Sequence, residues 1–159
     1  MNTKARGDIG EQIAAEYLEK EGYKIVGKNV KLSGCEIDIV AEAYFDDLGN
    51  LIKQNYPKLA KLKSFFNWKN KNLSPKTKGE RTLVFVEVKT RQDDEHGAPE
   101  EAVDGYKKGR YVTAAKSYIA KHSEQNTPVR FDVIAIDGEV VNHIENAFVY
   151  NEARYSKRR

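Results

Sequence analysis

One cysteine, three scattered histidines and no long apolar run are what this sequence has least of, and each shortage excludes something. Cys35 stands alone, so it cannot form an intramolecular disulfide, and a reducing compartment is its simplest setting. It has no histidine neighbour in sequence, which leaves a thiol nucleophile without support. His96, His122 and His143 show no ligand spacing, and with a single cysteine they make no zinc motif. No apolar stretch reaches the length that spans a bilayer. The first eight residues carry charge with no apolar signal segment behind them. A cytoplasmic protein without a membrane anchor is the expectation.

What remains is ordinary in bulk and uneven in distribution. A chain of 159 residues, 40% hydrophobic and 32% charged, fits one domain with its own core. The net charge of +3 decides little. From residue 53 to residue 81, however, eight lysines and one arginine face one acid, Glu80. The chain closes on Arg154, Lys157, Arg158 and Arg159. Segregated positive charge suits a polyanionic partner, because each neutralised phosphate releases counterions; a solvated loop and tail would look the same. The expected organisation is one domain over 1–159, with a basic insertion at about 46–80 and a basic tail at about 152–159.

Asp8 is placed to cap a first helix carrying Ile9, Ile13, Ala14, Tyr17 and Leu18 at helical spacing, with Gly22 as its C-terminal stop. Strands are predicted over 23–30 and 36–43, joined by a turn at Ser33-Gly34. From Asp46 to Glu80 the pattern dissolves, apart from one amphipathic stretch with Leu59, Leu62, Phe65 and Phe66. There Tyr56, Phe65, Phe66 and Trp68 alternate with lysines; burying an apolar stripe and stacking on bases are both readings of that pattern. The strongest strand covers 82–90, and its β-branched content marks it as central. Pro99 opens a helical region, a longer helix follows over 106–121, and strands over 129–136 and 140–149 flank an Asp137-Gly138 turn. The order α-β-β-β-α-β-β predicts an α/β domain with a mixed, mostly antiparallel sheet flanked by helices.

Charges occur where a central strand should have none. Glu87 and Lys89 lie two apart, so they share a face. Glu36 and Asp38 do the same on the preceding strand, with Ile37 and Ile39 expected on the other side. If the strands are neighbours, three carboxylates meet one ammonium, which is costly in a partly buried place unless a cation offsets it. Oxygen donors favour Mg²⁺ or Mn²⁺. Glu11 falls on the helical arc of Ala14, Ala15 and Leu18, so it points toward the sheet, either into the same site or to a rim contact with an arginine. Ordinary ion pairs on an exposed sheet face are the plainer reading of the strand charges, and they fit an edge strand better than one flanked by Leu83, Val84, Phe85, Val86 and Val88. Arg91 is placed to hold a phosphate or to pair with Asp93 or Asp94. Lys107, Lys108 and Arg110 could form a basic helix face for nucleic acid or a solvated one. Arg130 and Asp132 suggest an internal pair.

Taken together, Gly10-Glu11, Glu36-Ile37-Asp38, Phe85-Val86-Glu87-Val88-Lys89-Thr90-Arg91, Gly97-Ala98-Pro99 and Arg130-Phe131-Asp132-Val133 resemble, in order and spacing, the YraN family of small, uncharacterised bacterial proteins. The fold of that family resembles the restriction-endonuclease-like PD-(D/E)xK nucleases and the archaeal Holliday-junction resolvases. The resemblance implies that Asp38 and Glu87 are metal ligands and that Lys89 positions or activates the attacking water. It gives Glu11 the role of a helix-borne acid supporting the metal; Glu36 would sit behind the ion or at a second one. A Mg²⁺- or Mn²⁺-dependent nuclease acting on DNA, with a homodimer possible, is implied. The alternative is a nucleic-acid-binding or repair-accessory protein with the same fold and little turnover. The family has glycine directly before its Glu-Ile-Asp triplet, where this chain has Cys35. A conformation needing glycine would be strained there, unless the turn has shifted by one residue. The basic insertion is the other departure.

Overall fold

The computed structural model describes residues 3–53, 79–90 and 105–148, apart from the side chains at positions 3, 4, 6 and 105–107. The amphipathic stretch within the insertion, the region opened by Pro99, Arg91, His96 and the basic tail lie outside those residues.

Helix α1 spans Thr3–Glu21. It begins more than a turn before the expected start, so Asp8 lies inside the helix rather than capping it. Nothing between Thr3 and Gly7 forbids helix, and a capping side chain biases a helix start without enforcing it. The other end is as expected. Gly22 takes φ 101°, its N–H reaches the Glu19 carbonyl at 3.2 Å, and that of Tyr23 reaches Leu18 at 2.9 Å. Strand β1, Lys24–Leu32, turns at Ser33 and Gly34, both with positive φ, into β2, Cys35–Phe45. Such a two-residue turn follows the twist of a hairpin, and Gly34 supplies the left-handed position. The glycine requirement has therefore moved one residue upstream, and Cys35 is not strained.

Order continues briefly past Phe45. The Asp46 carboxylate accepts the N–H groups of Leu48 at 2.9 Å and Asn50 at 2.8 Å, and Leu51 bridges back to Phe45. Strand β3 covers Glu80–Thr90, α2 covers Gly105–His122, β4 covers Val129–Asp137 and β5 covers Val140–Ile144. The last strand is shorter than the expected 140–149. Asn146 turns with φ 50°, and the next N–H groups leave the ladder: Asn146 donates to Asp132 and Ala147 to the Phe131 carbonyl.

The sheet runs in the order β1-β2-β3-β4-β5, parallel only between β3 and β4, so the expected α-β-β-β-α-β-β architecture with a central β3 is the one found. Alternation along β3 sends Val84 and Val86 to Ala14, Ala15 and Leu18 of α1. Leu83 and Phe85 go to Val112, Ala115 and Tyr118 of α2. The sheet thus lies between the two helices, with a core on each face. Two members of the predicted α1 stripe fall outside it, since Ile9 and Ile13 are 46% and 36% exposed. Among the described residues no helix is long and apolar enough to cross a membrane.

Candidate active site

The ladder between β2 and β3 runs from the Phe45–Glu80 pair to the Ile39–Val86 pair and stops there. The next two residues facing each other are Asp38 and Glu87. Where a backbone pair would continue, the Asp38 carboxylate reaches across and accepts the Val88 N–H at 2.7 Å. The hairpin partner of β2 shifts register between Ile25 and Gly27, and opposite Asp38 it holds one left-handed residue. It pairs Lys28 with Ile39 and Val30 with Ile37, skipping Asn29 and Asp38, and Asn29 takes φ 52°. Asparagine tolerates that conformation better than most residues.

This irregularity changes the faces of β2. Ile37 packs in the α2-side core and Ile39 in the α1-side core, although simple alternation would put both on one side. The expectation that Ile37 and Ile39 share a side is therefore corrected, while Glu36, Asp38 and Glu87 do line one cavity. Glu36 is exposed and pairs with Lys31 at 3.7 Å on the rim, while Asp38 is turned in at the strand opening. Among the described residues, no three histidine, cysteine, aspartate or glutamate side chains are grouped closely enough to hold a metal ion.

Asp38, Glu87 and Glu36 open onto one cavity of about 1110 Å³, shared with Glu11 of α1, Asn29 and Lys31 of β1 and Arg110 of α2. Glu87 is 4% exposed. Its carboxylate pairs with Lys89 at 2.7 Å, which fits their common face on β3. Lys89 does not line the cavity itself and meets it through that pair. Burial raises the Glu11 carboxyl above its ordinary range. A hydrogen bond from Asn29 and the charge of Lys28 pull it down, while Asp8 and Glu36 push it up. The helical-arc reading of Glu11 thus stands, and Asn29 is a neighbour that the sequence did not reveal.

The basic helix face is divided. Arg110 lines the cavity and donates to the Gly34 carbonyl at the hairpin tip. Ser117 meets Ser33 at 2.6 Å, fixing the same tip to α2. Lys108 lies over the Phe148 ring, 5.8 Å from its centroid, among residues that do not line this cavity. Arg91 and the Lys107 side chain fall outside the described residues.

Asp132 is the other buried acid, fully enclosed on the α1 side of β4. It accepts from Arg130 at 2.7 and 2.9 Å, from the Asn146 N–H at 2.9 Å, and lies 2.9 Å from His143 Nε2. Arg130 also donates to the Tyr23 hydroxyl at 2.6 Å. The expected internal Arg130–Asp132 pair is present, and its partners from α1's C-terminal turn and β5 make it a tie between elements.

A family model described as "Uncharacterised protein family UPF0102" matches residues 10–136. The chain belongs to this family. It is the family whose signature residues 10–11, 36–38, 85–90 and 130–133 carry. A UPF0102 protein of Clostridioides difficile is 35% identical over 150 residues, covering 93% of this chain and 100% of its own length. One of Caldanaerobacter subterraneus is 36% identical over 155 residues, covering 93% of this chain and 98% of its own. One of Pelobacter propionicus is 35% identical over 147 residues, with 89% and 81% covered. The match spans β1, β2 and β3 in full and β4 as far as Ile136, and it includes every acid of the candidate site.

Proposed function

We propose that this UPF0102 protein is a metal-dependent endonuclease that hydrolyses phosphodiester bonds in DNA, branched or repair-related DNA included. The observation that carries the reading is the meeting of Asp38 and Glu87 where β2 and β3 part, beside a cavity that also holds Glu11 and Arg110. An ordinary sheet closes its ladder; here two acids occupy the gap, and Lys89 is paired to one of them.

The donor chemistry fits Mg²⁺ or Mn²⁺. Both candidate ligands are carboxylates, and these small ions take one or two such groups, leaving other positions to water and substrate phosphate. That preference also accommodates the lack of a closed three-ligand cage among the described residues. Asp38 and Glu87 would hold the ion, with Glu11 supporting it from the helix and Glu36 on the rim. When bound, a divalent ion supplies positive charge to phosphate oxygens and lowers the pKa of water. Lys89, held by Glu87, orients the attacking water and counters charge developing on the phosphate. Arg110 at the cavity wall, with Lys107, Lys108 and Arg91 on the flanking segments, would contact the backbone of the nucleic acid. Two copies acting together would serve a substrate needing two cuts.

Purified protein incubated with single-stranded, duplex, flapped and four-way-junction DNA should cleave at least one of these in Mg²⁺ or Mn²⁺ and none in chelator. Asp38→Ala and Lys89→Ala should each lower the rate by about a hundredfold or more. Cleavage surviving in both variants sinks the assignment. A second reading, a DNA-binding protein with little turnover, is favoured by one feature: Asp38 and Glu87 both have partners without an ion. Salt-sensitive DNA binding with no cleavage of any substrate would select it.

A further inference from the structure

Tyr111 lies on α2 next to Arg110 and is 1% exposed. On the buried stripe of α2 with Ala115 and Tyr118, its ring packs edge-on to Phe131 and Phe148. Its hydroxyl is a different matter. Among the described residues it is the buried side-chain polar atom with no hydrogen-bond partner. Buried hydroxyls are usually satisfied, and an orphan costs stability while returning nothing to the fold.

The groups around that hydroxyl are those of the candidate site. Asp38 and Glu87 are the charged groups that bear on it, and the Asp38 backbone lies beside it. Glu87 lies on the face of β3 that carries Leu83 and Phe85, the face against which Tyr111 packs. A buried hydroxyl on that face, with no partner of its own, is suited to hold a carboxylate oxygen or a water of the site.

Resting on the nuclease reading above, the geometry points to Tyr111 as a positioning residue that donates its hydroxyl proton to the Asp38–Glu87 site when a divalent ion is bound. It touches no reacting atom. It fixes the orientation of the oxygens that do, as the outer partners of metal ligands generally do. A residue that ties up its hydroxyl within the metal-free fold has no reason to leave it unpartnered. A hydroxyl reserved for a loaded state does.

Tyr111→Phe removes this one oxygen and keeps the ring packing. Mn²⁺ affinity, read by the loss of the free-ion electron paramagnetic resonance signal on titration, should fall about three- to tenfold, the worth of one hydrogen bond. The metal-free melting temperature should stay the same or rise, since an unsatisfied group has been deleted. Unchanged Mn²⁺ affinity in Tyr111→Phe overturns the inference. So does a clear drop in the metal-free melting temperature, which would give the hydroxyl a partner in the fold. Asp38→Asn separates the two levels. If wild-type binding depends on Asp38 but not on the hydroxyl, only the role of Tyr111 fails. If the wild-type protein binds no Mn²⁺, the metal reading fails with it.

Discussion

Asp132, Glu87 and Glu124 are stabilised in three different ways, and the differences separate structure from chemistry. Asp132 is saturated by Arg130, His143 and a backbone N–H, which leaves it no capacity for a ligand. Glu87 pairs with Lys89 and has an open cavity beside it. Glu124 is the third case. Arg81 grips it through both oxygens at 2.7 and 2.8 Å, and Thr127 adds a further bond. Those contacts, Arg81 first, lower its carboxyl to about 2. A depressed carboxyl pKa contributes stability that is complete above the ordinary glutamate range and is lost as pH falls toward that value. Glu124→Gln should therefore melt below wild type at pH 6, and the gap should narrow steadily toward pH 3. Equal gaps at both pH values would contradict this. At this scale the sequence revealed what alternation and helical arc control: the common face of Glu87 and Lys89, and the inward turn of Glu11. Asn29 was hidden, because a single left-handed residue inside a strand leaves no mark on the pattern. Tyr111 was hidden too, because a tyrosine at core spacing looks like core.

At the level of elements, the approach of α1 to β3 sets the position of Glu11, and a glycine sets that approach. A Cβ built on Gly10 would lie 2.2 Å from Thr90 Cγ2, next to Lys89 on the strand. Alanine favours helix over glycine by about 0.5–1 kcal/mol, whereas overpacking a tight contact costs about 1–3 kcal/mol. The contact should prevail, because the atom in the way belongs to a stiff β-branched side chain. Gly10→Ala is expected to lose about 1–2 kcal/mol in urea unfolding, and Thr90→Ser, which deletes the obstructing methyl, should restore it. A stabilised Gly10→Ala single variant would show that the helix has room to spare. Element identities and order were legible because period and turn chemistry are local properties. The boundaries that differed, at Thr3 and Ile144, were decided by packing and by hydrogen bonds to residues distant in sequence, as when Asp132 and Phe131 capture the amides that follow β5. The switch of faces between Ile37 and Ile39 was illegible for the same reason, since it occurs opposite Asn29, a left-handed residue on the neighbouring strand.

For the whole molecule, a sheet held between two helices opens where β2 and β3 diverge, and α1, the β1–β2 hairpin and α2 all border the opening. The hairpin tip is tied to α2 and the far side of the sheet is tied by the Asp132 network, so the opening sits in a braced frame. Such a frame suits a site that must hold ligands at fixed positions. Composition could not have indicated the opening; the order of motifs could, because it identified a family whose acids fall on these strands. The central claim is that Asp38 and Glu87 form the divalent-ion site of a nuclease. Isothermal titration of Mn²⁺ into wild-type protein and into the Asp38→Asn/Glu87→Gln variant tests it most directly. Saturable binding in wild type and its loss in a variant that still melts cooperatively is the predicted result. Undiminished binding in the double variant would contradict it.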